Sequence, residues 1–181
     1  MRLTVLGIQG SGKGTQSKLL AQHFGLKRIA VGDLLRKEIK KQTKEGKILA
    51  KYMNKGEMAQ NQIVNKVIAK VLPKDNFIID GFPRDRRQLK VADKDKIDRV
   101  IFISLPKKEV YKRIQLRRKI EKRKDDEQSA LDERLRLFYQ ESPYILAHFK
   151  DKLIKINGNQ PIKKVFSEIQ SKLELFLKVS N

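Results

Sequence analysis

Short apolar runs alternate with amphipathic stretches along almost the whole chain. Residues 3–6, 77–79 and 100–103 are nearly all apolar and rich in β-branched or aromatic side chains, the composition of strands that are buried on both faces. The stretches between such runs carry apolar residues every three or four positions, which predicts helices. We predict strands at residues 3–6, 28–31, 77–80, 99–105 and 152–156. This alternation predicts an α/β fold with a parallel sheet covered by helices on both faces.

The helix boundaries are predicted from glycine, proline and capping residues. Gly25 is expected to end the first helix, and Asp33 to act as the N-cap of the second. Gly46 and Gly56 predict breaks in a helical region that follows the second strand. Further helices are predicted over residues 61–72, 106–119, 125–149 and 161–179.

A glycine-rich stretch lies between the first strand and the first helix. Residues 7–15 read Gly-Ile-Gln-Gly-Ser-Gly-Lys-Gly-Thr. Glycines allow a tight turn whose N–H groups face one anion, and the helix N-terminus adds its positive dipole end. Lys13 supplies a point charge for phosphates, and the hydroxyl of Thr15 can bind Mg²⁺. The usual phosphate loop has Ser or Thr directly after the lysine, whereas Gly14 intervenes here. An ordinary glycine turn is the alternative.

Length and composition narrow the function classes. The 181 residues suit one compact domain, and no apolar run approaches the ~18 residues of a membrane span. The absence of cysteine excludes disulfides, thiolate zinc sites and cysteine catalysis. The first residues do not resemble an export signal, so we expect a cytoplasmic protein without a membrane partner. The net charge of +21 indicates nucleotides or nucleic acid as partners, or a surface that is simply rich in lysine.

A second motif follows the apolar strand near residue 78. Asp80-Gly81-Phe82-Pro83-Arg84 stands at its carboxyl end, where open α/β sheets bind ligands. An arginine series comes later in the chain: Arg113, Arg117, Arg123 and Arg134. Together with the glycine-rich loop, these motifs resemble the adenylate kinases, within the nucleoside monophosphate kinases, and the resemblance runs in order from Met1 to the last helix. It implies a P-loop fold with a five-stranded parallel sheet in the order 2-3-1-4-5, as one domain.

The resemblance also implies a set of site residues. The predicted ATP-binding residues are Gly10, Ser11, Gly12, Lys13, Gly14, Thr15, Arg113, Arg117 and Gln160. The predicted AMP-binding residues are Val31, Arg36, Glu57, Met58, Ala59, Gly81, Phe82, Arg84, Gln88, Arg123 and Arg134. The residues expected to act on the transferred phosphoryl group are Lys13, Arg84, Arg117, Arg123 and Arg134. Mg²⁺ would be bound by Thr15 and, through water, by Asp80 and Asp33.

Two features depart from that family's pattern. Val31 stands where the family usually has threonine, so one hydrogen bond to the base is lost. Residues 31–60 correspond to the insertion that binds the monophosphate, but residues 118–125 correspond to a lid reduced to a turn, with no cysteines to bind zinc.

The resemblance implies the reversible reaction ATP + AMP ⇌ 2 ADP with Mg²⁺. One alternative is a pyrimidine (CMP/UMP) monophosphate kinase, for which the family discriminator is position 88, with Gln88 favouring AMP. Another is a P-loop ATPase acting with RNA or ribosomes, suggested by the charge. We expect a monomer that binds nucleic acid only weakly and without sequence preference.

Overall fold

Five parallel strands form the centre of the molecule. The computed structural model describes residues 1–92, 96–121 and 126–179. The strands are β1 (Arg2–Gly7), β2 (Lys27–Ala30), β3 (Phe77–Asp80), β4 (Arg99–Ser104) and β5 (Leu153–Asn157). They pair in the order β2-β3-β1-β4-β5, with every neighbouring pair parallel. The predicted sheet and its order are confirmed.

Helices cover both faces of this sheet. They are α1 (Lys13–Phe24), α2 (Val31–Lys40), α3 (Lys44–Met53), α4 (Asn61–Ala69), α5 (Lys107–Glu121), α6 (Gln128–His148) and α7 (Ile162–Val179). Two short 3₁₀ helices, Arg86–Lys90 and Lys150–Lys152, follow β3 and α6. Within the ranges that the structure describes, no helix has the length and apolar character needed to cross a bilayer.

Alternate side chains of β1 supply two separate cores. Leu3 and Val5 are fully buried in a cluster with residues of α1 and α7. Leu6 belongs to the opposite cluster, which is built from α2, α3 and α4. This two-sided burial explains why the strands read as continuous apolar runs. The parallel pairing of β1 with β3 places their carboxyl ends side by side, where the two sequence motifs begin.

Three of the local predictions are wrong. Val31, predicted to end the second strand, is the first residue of α2. Asp33 is not an N-cap, because α2 already begins at Val31 after Ala30, and Asp33 lies in its first turn. Gly46 does not break a helix but lies inside α3, whose N-cap is Thr43. A Cβ at Gly46 would be 2.5 Å from the carbonyl oxygen of Glu38, so the missing side chain serves close helix packing instead of a break.

Candidate active site

The glycine-rich loop links the end of β1 to the start of α1. Gly10 and Gly12 adopt φ angles of 76° and 90°, a left-handed backbone that favours glycine. The Oγ atom of Ser11 and the Oε1 atom of Gln9 are buried without a hydrogen-bond partner in the described part of the chain. Buried polar atoms in proteins are nearly always paired. These two atoms therefore favour a polar ligand at the loop.

Lys13 is the first residue of α1 and lies over the loop. Its Nζ donates to the carbonyl oxygen of Ile8 at 3.2 Å. Burial lowers the pKa of Lys13 to about 7; Asp80 opposes this, while the positive charges of Arg84, Arg134 and Arg117 add to it. The three arginines thus lie close enough to the Lys13 ammonium to repel it. A region with this excess of positive charge is suited to polyphosphate.

Asp126 holds two of these arginines together. Arg117 Nε donates to Asp126 Oδ2 at 2.8 Å, and Arg117 Nη2 donates to Oδ1 of the same carboxylate. Arg134 Nη1 lies 3.7 Å from Asp126 Oδ1, and the Asp126 side chain has no exposed surface. One carboxylate therefore positions an arginine from α5 and one from α6. Arg123 and the lid residues 122–125 lie outside the described residues.

A cavity beside Lys13 brings the predicted acceptor residues together. All of the predicted AMP-binding residues that the structure describes line it: Val31, Arg36, Glu57, Met58, Ala59, Gly81, Phe82, Arg84, Gln88 and Arg134. Leu35, Val64, Phe138 and Ile145 add apolar walls. An apolar cavity with a few polar and charged groups is typical of small-molecule sites.

Gly56 places one wall of this cavity. Its φ of 76° turns the chain after α3, and a Cβ there would be 2.1 Å from the carbonyl oxygen of Ala130. The backbone at Gly56 therefore packs directly on α6. This contact sets the position of the next three residues, all of which line the cavity.

A chain of polar side chains lies behind the cavity at Gln88, which is only 3% exposed. Gln88 Oε1 accepts from the backbone N–H of Arg84, and Gln88 Nε2 donates to Asn61 Oδ1, both at 2.8 Å. Asn61 Nδ2 in turn lies 3.3 Å from both carboxylate oxygens of Asp85. Sequence reasoning missed Asn61 and Asp85. Only Asp85 carried a signal, because it is an acidic residue just before a helical turn. Its Oδ1 atom accepts hydrogen bonds from the backbone N–H groups of Arg87 and Gln88.

Two of the predicted ATP-binding residues, Arg113 and Gln160, contact backbone carbonyl groups outside this cavity. Arg113 contacts the carbonyl oxygens of Gly10 at 3.5 Å and Gly158 at 3.0 Å. Gln160 Nε2 donates to the carbonyl oxygen of Asn157 at 2.9 Å. Neither Arg113 nor Gln160 is among the described residues that line the cavity. Arg113 and Gln160 are therefore separate from the predicted acceptor residues, whereas Lys13, another predicted ATP-binding residue, lines the cavity.

Asp80 borders the glycine-rich loop and is held by an arginine that sequence reasoning missed. Arg28 Nη2 donates to Asp80 Oδ2 at 2.8 Å, and Ser17 Oγ lies 3.2 Å from the same oxygen. Arg28 Nη1 is 4.0 Å from Asp33 Oδ2. Nothing in the sequence links Arg28 to Asp80, because the pairing of β2 with β3 brings them together.

The predicted metal ligands fit a magnesium ion that arrives with a nucleotide. A Cβ on Gly14 would be 3.4 Å from Asp80 Oδ2, so this carboxylate adjoins the loop that carries the exposed Thr15. Hydroxyl and carboxylate oxygens are the donors that Mg²⁺ prefers. No group of three or more potential metal-ligating side chains occurs among residues 1–92, 96–121 and 126–179. Mg²⁺ is commonly held by few protein ligands together with phosphates and water.

Comparison with known proteins gives one consistent family. A family model described as Adenylate kinase matches residues 5–154. An adenylate kinase of Encephalitozoon cuniculi is 34% identical over 176 residues, covering 96% of this chain and 98% of the relative. One of Azobacteroides pseudotrichonymphae is 32% identical, covering 96% and 97%. UMP-CMP kinase 3 of Arabidopsis thaliana is 33% identical, covering 92% and 86%.

Proposed function

The chain belongs to the adenylate kinase family of nucleoside monophosphate kinases, and we propose that it catalyses reversible transfer of a phosphoryl group from ATP to AMP, giving two ADP. The observation that carries this proposal is the position of Lys13. It lies where the glycine-rich loop meets the cavity lined by Arg84, Gln88 and Arg134. A donor phosphate on the loop and an acceptor phosphate in the cavity would meet at this residue.

The basic residues supply the chemistry that such a transfer needs. Phosphoryl transfer depends mainly on positioning and on stabilising the charge of the transferred group. Two nucleotides bring several negative charges together, which Lys13, Arg84, Arg117 and Arg134 offset. The planar guanidinium groups can hold phosphate oxygens with two parallel hydrogen bonds. We propose that Arg123 contributes in the same way.

Mg²⁺ would bind with ATP at Thr15 and, through water, at Asp80 and Asp33. When bound, it neutralises charge on the β- and γ-phosphates. Arg28 and Ser17 hold Asp80 at the loop. Arg36 Nη2 holds Asp33 Oδ1 at 2.5 Å.

No general base is required by this reaction, because an acceptor phosphate oxygen is already ionised near neutral pH. The two histidines lie away from the cavity. His23 packs edge-on against Phe24 and Phe166, and His148 packs edge-on against Phe149.

We assign residues 31–60 to acceptor binding and residues 118–125 to a minimal lid. Support for the first assignment comes from Val31, Arg36 and residues 57–59, which line the cavity. Support for the second comes from the short connection between α5, which ends at Glu121, and α6, which begins at Gln128. The monomeric state and the weak, non-specific binding of nucleic acid stay predictions.

A coupled assay with AMP, CMP, UMP and GMP as acceptors tests the proposed function. A pyrimidine monophosphate kinase is the second candidate, favoured by the similarity to UMP-CMP kinase 3. We expect the highest kcat/KM with AMP, because the Gln88 amide can pair with the amino edge of adenine or cytosine and the apolar walls of the cavity would favour the larger purine. Val31, only 2% exposed, offers the base no hydrogen bond, so the preference over CMP is reduced. A higher kcat/KM with CMP or UMP would assign the chain to the second candidate.

A further inference from the structure

We propose that Asn61 and Asp85 are positioning residues that fix the direction of the Gln88 amide and thereby select acceptor bases with an amino group over bases with a carbonyl group. This inference rests on the proposed function. The observation behind it is the continuous series of hydrogen bonds that runs from the Asp85 carboxylate through Asn61 to the cavity.

The direction of this series is set at Asp85. A carboxylate can only accept hydrogen bonds, so the Asn61 atom that faces both of its oxygens at 3.3 Å must be the donor, Nδ2. The other end of the Asn61 amide is then the acceptor Oδ1. It faces Gln88, and it accepts from Gln88 Nε2 at 2.8 Å.

A backbone group fixes the opposite end of the Gln88 amide. The N–H of Arg84 can only donate, and it lies 2.8 Å from Gln88 Oε1. If the amide turned over, its NH₂ group would face the Arg84 N–H and its oxygen would face Asn61 Oδ1. Gln88 is 3% exposed, so water could not readily replace the two lost hydrogen bonds. The amide therefore has one favoured direction before any nucleotide binds.

These two hydrogen bonds determine which donor and acceptor positions Gln88 offers to a ligand in the cavity. Its oxygen keeps one further acceptor position and its NH₂ group one further hydrogen. Adenine and cytosine match this pattern, because each has an amino group next to a ring nitrogen that accepts. Hypoxanthine, guanine and uracil have a carbonyl next to a ring N–H, which is the reverse. The size and apolar walls of the cavity would then have to separate adenine from cytosine.

Assays of the wild-type protein with three purine nucleoside monophosphates test whether the Gln88 amide has this fixed direction. The adenine of AMP can donate from its amino group to Gln88 Oε1 and accept at N1 from Gln88 Nε2. The monophosphate of unsubstituted purine can form only the hydrogen bond at N1. IMP can form neither, because its carbonyl faces Oε1 and its ring N–H faces the NH₂ group. We expect kcat/KM to fall in that order, with AMP on the order of 100-fold above IMP. If IMP is used within about two-fold of AMP, the amide turns freely and the proposal is overturned. Calorimetric binding of the same nucleotides gives the ranking independently of transfer. A protein that binds them in this order without phosphorylating AMP would contradict the proposed function alone.

Variants of Asn61 then test the series of hydrogen bonds from Asp85 through Asn61 to Gln88. Asn61→Ala removes the acceptor for Gln88 Nε2, and we expect the ratio of kcat/KM for AMP to that for IMP to fall at least about ten-fold. Asn61→Asp keeps an acceptor in that place, so the ratio should remain high even if the second carboxylate lowers Tm. Asn65→Ala is the matched control, since Asn65 is also on α4 and makes no hydrogen bond to Gln88. An unchanged ratio in a folded Asn61→Ala protein, or equal loss in Asn61→Asp, would overturn the roles assigned to Asn61 and Asp85.

Discussion

The base end and the phosphate end of the cavity are organised in opposite ways. At the base end, which comprises Gln88, Asn61 and Asp85, each polar group has a partner of the correct type and the side chains are buried or half-buried. At the phosphate end, which comprises Lys13 and the arginines around it, like charges lie near one another. Their repulsion helps to lower the pKa of Lys13 to about 7.

Under the proposed function, this difference separates recognition of the acceptor base from catalysis. The hydrogen bonds within the base end fix the direction of the Gln88 amide and leave one acceptor position and one hydrogen for a ligand, so it can discriminate between bases without rearranging. The phosphate end is balanced only in part by Asp80 and Asp126, and it requires the negative charge of the substrates. Changes at the phosphate end should therefore lower kcat more than they affect the binding of the acceptor base.

The largest effect should come from Lys13→Met. This change removes the cation that we place between donor and acceptor, and we expect kcat to fall by at least about 100-fold. Acceptor binding should change little, because the base end is untouched. Steady-state kinetics and calorimetry with AMP measure the two quantities. Lys18→Met, at an exposed position of the same helix, is the matched control and should behave as wild type. A folded Lys13→Met protein with near-normal turnover would refute the assignment of the loop.

A smaller loss is expected for Arg134→Ala. Arg134 lines the cavity and is paired with Asp126, and an arginine that binds developing charge acts mainly in the transition state. We expect kcat to fall by about 10- to 100-fold, with a smaller rise in KM. Arg136→Ala is the control on the same helix, because Arg136 is exposed and pairs with Glu133 instead. A change in KM alone would mean that Arg134 serves binding and not transfer.

The sequence shows residues that belong to local motifs more readily than contacts between distant elements. Lys13, Arg84 and the Asp80 motif are local in sequence, and the chemistry of a glycine-rich loop is set by neighbouring residues. Asn61 lies on α4 and reaches Gln88 only through tertiary packing, over 27 positions in sequence. The link between Arg28 and Asp80 likewise depends on strand pairing. A single sequence shows residue types and spacing, but it does not show which side chains face each other across elements.

A third prediction concerns protons at Lys13. Its pKa of about 7 lies below its ordinary value of 10.5, so between these pH values the unfolded chain binds more protons than the folded one. The contribution of Lys13 to the free energy of unfolding should therefore rise with pH between about pH 7 and pH 10.5. Bound phosphates would raise the pKa of Lys13 again, so ATP binding at about pH 8.5 should take up as much as about one proton.

Calorimetry of ATP binding in two buffers with different ionisation enthalpies measures this uptake. The uptake should disappear in Lys13→Met and persist in Lys18→Met. ATP affinity should also fall by up to about ten-fold per pH unit above pH 7. A binding enthalpy that does not depend on the buffer would mean that Lys13 is already charged before ATP binds.

The smallest expected effect is slow hydrolysis of ATP in the absence of AMP. A closing lid excludes water from transferred phosphates as well as delivering arginines. Here only residues 122–127 separate α5 from α6, so few atoms are available to cover the phosphate end. Arg117 and Arg134 should still reach the phosphates, because Asp126 already positions both side chains. We therefore expect full transfer to AMP together with ADP release from ATP alone, at about 1% or less of the transfer rate. Lys13→Met should abolish both reactions, which excludes a contaminating ATPase. Undetectable hydrolysis would mean that the ends of α5 and α6 exclude water by themselves, and the phosphate end would then be as well enclosed as the base end.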